Sequence, residues 1–129
     1  MEINDETFVQ TVRDLVTESP DYIYSSPDHM KEGEFDADLT CFYVHMDEDG
    51  ETSGPGCLVG KALHRLGIPL ETLRGQEANG AREVIANLHL PLTAKVRLFA
   101  STVQGHQDDG DPWAVALRRG ERALTGWED

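Results

Sequence analysis

Among its 129 residues the chain has only two cysteines, Cys41 and Cys57, and only 7% of it is aromatic. Two cysteines are too few for the disulfide framework of a small secreted domain. In a reducing compartment such residues are more often small buried apolar groups than disulfide partners. No apolar run approaches the roughly 20 residues that a membrane-spanning helix needs. Met1 to Glu6 is acidic, unlike the positive and then apolar start of a signal peptide, so a cytoplasmic location is expected. What the first part of the chain lacks most is positive charge. Residues 1–54 set only Arg13 and Lys31 against 15 carboxylates, whereas residues 55–129 hold nine acids and nine bases. The whole net charge of −13 therefore belongs to the first segment. Such a segment repels nucleic acid and anionic lipid and attracts basic surfaces.

The periodicities predict one domain over 1–129, mainly α: a compact bundle of about five helices carrying a small two-stranded antiparallel ribbon. Residues 1–54 form an acidic helix, loop and ribbon, and residues 55–129 a charge-balanced helical scaffold. Phe8, Val12, Leu15 and Val16 make the apolar stripe of a first helix, capped at Asn4 or Asp5 and ended by Pro20. Residues 20–38 read as a long polar connection. Tyr22-Ile23-Tyr24 is expected to pair with a strand at 39–46, the run richest in aromatic and branched residues. A second helix is expected from about Pro55 to Leu66, with Leu58, Ala62 and Leu66 in one apolar row and Val59 and Leu63 beside them, Gly60 allowing close packing and Gly67 closing it. Pro69 to Leu73 reads as one helical turn. Ala81, Val84, Ile85 and Leu88 mark the next helix. Val96, Phe99, Ala100 and Val103 mark another, capped by Thr93 and ended by Gly110. Asp111-Pro112 opens the last helix as capping residue and first-turn proline, with Trp113, Ala116, Leu117 and Leu124 facing inward.

Candidate chemistry is sparse. Cys41, His45, Cys57 and His64 are metal-ligand types, but Cys41 and His45 stand about 13 Å apart along a strand. Cys57 and His64 are roughly 10 Å apart along a helix, so neither pair closes on one zinc. The acidic turn Asp47-Glu48-Asp49-Gly50 fails the calcium-loop pattern, because His45 and Gly56 would fill its first and last ligand positions. No metal and no cofactor are expected. Cys57 follows Gly54-Pro55-Gly56 at the start of a helix, where exposed amides stabilise a thiolate, and His45, His89 or His106 would have to act as its base. The consecutive helices 81–89 and 94–108 could imitate a helix-turn-helix, yet the second offers only Lys95 and Arg97 and ends in Asp108-Asp109. Direct nucleic-acid binding is not expected. Gln104 and Gln107 are expected to bond the turn from Gly105 to Gly110, with Trp113 in the core.

The stretch Pro55-Gly56-Cys57-Leu58-Val59-Gly60-Lys61-Ala62-Leu63, continuing to Pro69, resembles a stretch in small uncharacterised proteins of actinobacteria and their phages. Gln104 to Asp108, with Gly110, Pro112-Trp113 and Ala116, resembles a second stretch of the same proteins. The resemblance covers residues 39–124 and implies structural motifs rather than an activity. The expected function is a non-enzymatic interaction protein of phage type that binds a cellular protein with a basic surface. Its face would be Asp21, Asp28, Glu32, Glu34, Asp36, Asp38, Asp47, Glu48 and Asp49, which could imitate nucleic acid. The alternatives are a cysteine-dependent hydrolase using Cys57 and a structural or regulatory homodimer.

Overall fold

The computed structural model describes residues 3–24, 44–46, 52–76 and 80–125, and these are mainly helical. Helix α1 (Asp5–Glu18) starts by a local device. The Asn4 side chain accepts from the Thr7 amide and Thr7 Oγ1 accepts from the Asn4 amide, both at 2.9 Å. Each bond satisfies an amide that has no partner within the helix. Phe8, Val12, Leu15 and Val16 are buried as the stripe predicts, with Val9 and Thr11 beside them. The helix ends at Ser19, the residue before Pro20, because the proline ring disfavours helical geometry there.

The expected ribbon between Tyr22–Tyr24 and 39–46 is not supported. Residues 39–43 lie outside the described residues, and Tyr22–Tyr24 is not a strand. Instead the Pro20 and Tyr22 carbonyls accept from the Ala114 and Trp113 amides, each at 2.9 Å. Those amides open a helix and must find acceptors outside it. Residues 44–46 pair with a nearer segment: β1 (Val44–Met46) runs antiparallel to β2 (Thr52–Pro55), with Val44 opposite Pro55 and His45 opposite Gly54.

Because 52–55 is extended, helix α2 (Leu58–Arg65) begins later than the expected Pro55, with Cys57 as its N-cap. Leu58, Val59, Ala62, Leu63 and Leu66 are buried, which is the expected row. Gly67, at φ 108°, lets the chain turn back so that its amide reaches the His64 carbonyl and that of Ile68 the Leu63 carbonyl. This pair of bonds closes the last turn. The single turn after Pro69 is a helix of its own, α3 (Leu70–Arg74). It is followed by α4 (Ala81–Asn87), α5 (Ala94–Asp108) and α6 (Trp113–Leu124), making six helices among the described residues. Thr93 caps α5 as expected. Asp111 does not cap α6, and Pro112 is the N-cap rather than the first helical residue. The Asp111 carboxylate is occupied by His106, whose Nδ1 lies 2.9 Å away.

One core joins all six helices. Phe8 of α1 meets Phe99 of α5 edge to face, with centroids 6.3 Å apart. The most extensive helix packing is between α5 and α6. Gly60 is buried as expected. Gly120 permits a close crossing of α6 with α5. A Cβ there would overlap Val103 Cγ2 and stand 3.2 Å from the Phe99 carbonyl oxygen.

Candidate functional site

Of the expected acidic face only Asp21 is described, exposed in the turn after α1. Asp28, Glu32, Glu34, Asp36, Asp38, Asp47, Glu48 and Asp49 lie outside the described residues. The charges of α1 are largely tied to the rest of the molecule. Arg13 Nε donates to Glu121 at 2.7 Å, Glu18 accepts two bonds from Arg65, and the Asp5 carboxylate accepts from the Thr93 amide.

Cys57 does not stand in an open first turn. Its side chain is free and fully buried, and the amide after it is already used. Leu58 N donates at 2.8 Å to Oε1 of Gln107, a side chain only 1% exposed. Gln107 therefore bonds its own turn through Asp108 and reaches beyond it to α2 as well. It supplies from α5 the cap that Cys57 does not provide, while its Nε2 donates to Asp108. An enclosed, neutral acceptor suits a buried amide, which would otherwise lose its hydration without return. His106 is held by Asp111, and His64 donates from Nδ1 to the Ile68 carbonyl at 3.1 Å, since a carbonyl oxygen can only accept. Among the described residues no histidine is hydrogen-bonded to Cys57. Cys41 lies outside them. No group of three or more His, Cys, Asp or Glu among the described residues could hold a metal ion.

The feature that the sequence did not single out is a cleft of about 440 Å³ where the carboxyl ends of α1 and α2 meet the amino end of α6. Leu15 and Trp113 supply its buried apolar surface, and Tyr22 and Ser19 come from the turn after α1. Lys61, His64 and Arg65 line it from α2, opposite Glu18. The Tyr22 ring stands edge-on to Trp113 at 4.7 Å, held there because the Tyr22 carbonyl is bonded to the Trp113 amide. Trp113 is buried as expected, at 2% exposure, but its Nε1 has no acceptor among the described residues. Arg65 binds both Glu18 oxygens, at 2.8 and 3.1 Å. These bonds hold the Glu18 carboxyl below its ordinary pKa and the Arg65 guanidinium above its own. Lys61, His64 and Arg65 recur at helical spacing, which alone reads as a solvated polar face. Only the arrival of Tyr22 and Trp113 from distant parts of the chain makes that face one side of a cleft.

No described helix is long and apolar enough to cross a membrane. Compared with known proteins, the chain matches no family model, no curated sequence and no solved structure.

Proposed function

We propose that the chain is a non-enzymatic interaction protein whose acidic N-terminal segment binds a cellular protein with a basic surface. The charge division carries the reading: all of the −13 falls within residues 1–54. Within the described part, Glu18 and Asp5 are consumed by internal bonds, whereas Asp21 is exposed in the turn after α1. The resemblance to actinobacterial and phage proteins extends the proposal to a phage-encoded product that acts in the cytoplasm. Its carboxylates would occupy a groove built for nucleic-acid phosphates. The hydrolase reading draws no support from a thiol enclosed as Cys57 is.

Exposed charges are screened beyond about 8 Å at physiological ionic strength, so the interaction should be salt-sensitive. A pull-down with the full chain should release its partner at high salt. It should also lose the partner when Asp28, Glu32, Glu34, Asp36 and Asp38 are changed to Lys. A partner retained under both treatments overturns the proposal.

A further inference from the structure

We infer, independently of the acidic-segment reading, that the cleft between α1, α2 and α6 binds a small, neutral, planar aromatic molecule. Its volume, about 440 Å³, lies within the roughly 300–1,000 Å³ typical of small-molecule sites. Such sites are mostly apolar, with a few polar groups that fix orientation. Here Leu15 and Trp113 line the cleft at 5% and 2% exposure, and the Tyr22 ring, 40% exposed, stands edge-on to Trp113.

The polar groups around the cleft are already engaged. Arg65 gives one bond to each Glu18 oxygen, at 2.8 and 3.1 Å, so the two charges answer each other. His64 Nδ1 donates to the Ile68 carbonyl, and Lys61 has a partner of its own. A charged occupant would therefore lose hydration without an open countercharge to receive it, whereas a neutral one loses little. The same ion pair favours a flat occupant over a rounded one. Both terminal nitrogens of Arg65 bond to Glu18 in the guanidinium plane, which fixes that plane and leaves its faces for a ligand. The Arg65 side chain is 45% accessible and lines the cleft. A guanidinium plane stacks on aromatic rings. A ring also packs on Tyr22 in offset or edge-to-face geometries that an aliphatic group cannot exploit. The cleft thus offers two flat partners, Tyr22 and Arg65, together with apolar contact from Leu15 and Trp113.

The test is a titration of the full chain with neutral 2-naphthalenemethanol, followed by backbone-amide shifts in nitrogen-15 spectra and by Overhauser contacts from the ligand's ring protons. Saturable shifts at Ser19, Tyr22, His64 and Arg65 are expected, with contacts to the Tyr22 ring. 2-Naphthoate should bind at least about threefold more weakly. Decahydro-2-naphthalenemethanol, which has the same carbon skeleton without a flat ring, should bind about three- to tenfold more weakly. Tyr22→Ala should weaken binding of the aromatic alcohol by a similar factor, about three- to tenfold, while Tyr22→Phe leaves it within about twofold. Arg65→Lys keeps the charge but loses the plane, and should weaken binding about two- to fivefold. Shifts that do not saturate, or Tyr22→Ala and Arg65→Lys variants that bind as well as the wild type, would overturn the proposal. A saturated alcohol of equal affinity would show a plain apolar pocket and overturn the aromatic assignment. Naphthoate bound as tightly or more so would overturn the preference for a neutral occupant.

Discussion

At its amino end α2 is sealed by a side chain from another helix, whereas at its carboxyl end it opens onto a cleft ringed by charge. Leu58 and Cys57 are fully buried and the first amide goes to Gln107. Eight residues make the whole helix, yet by its last turn His64 and Arg65 are exposed and Arg65 is paired with Glu18. The contrast follows from solvation. A buried helix end needs a neutral acceptor already in place, because a charge there would be stripped of water. An open end tolerates full charges, since water and a facing carboxylate share the solvation. One short helix thereby anchors the core at one end and presents chemistry at the other.

The largest effect should come from hollowing out the sealed end. Leu58→Ala removes a fully buried side chain and should cost about 2–5 kcal/mol in denaturant unfolding. Modification of Cys57 by a thiol reagent should be slow in the native protein and faster in the variant, because the buried thiol reacts only through opening. A loss below about 1 kcal/mol would mean that this end is not the anchor.

Next in size is the cap itself. Gln107→Leu replaces the amide with an apolar side chain of similar bulk and leaves the Leu58 amide without its acceptor. The expected cost is about 1–3 kcal/mol, the penalty for a buried donor left unsatisfied. Amide exchange at Leu58 should accelerate more than exchange in the middle of α1. Equal acceleration at both places would show that the variant loosens the whole core and not the cap.

The same contrast explains what could be read from the sequence. The start of α1 was legible because Asn4 and Thr7 cap each other within one turn. The buried rows of α1, α2 and α5 were legible because helical spacing puts such residues on one face. The start of α2 was placed too early because its acceptor arrives from a residue 49 positions away. The start of α6 depends on the Pro20 and Tyr22 carbonyls, and backbone oxygens carry no residue-specific signal. Lys61, His64 and Arg65 could be placed on one face, but not opposite Leu15 and Trp113, since no local pattern encodes that meeting.

The smallest effect concerns the open end, and its sign is what matters. Arg65 holds the folded-state pKa of Glu18 below the ordinary 4.5, through the side-chain hydrogen bonds first and its charge second. A carboxylate with a lowered folded pKa stabilises the fold above its unfolded pKa, and that stabilisation disappears as pH falls through the folded value. The pair is exposed, with side chains 45% and 55% accessible, so solvent and salt screen it heavily. Thermal unfolding of the wild type and of Glu18→Gln should therefore differ slightly at neutral pH, with the wild type more stable. The two curves should converge as pH falls below 4.5, and the gap at neutral pH should shrink in high salt. In an Arg65→Gln background the gap should vanish, because the partner that shifts Glu18 is gone. A difference that persists at low pH, or survives without Arg65, would mean that Glu18 stabilises the end of α1 by some route other than this bridge.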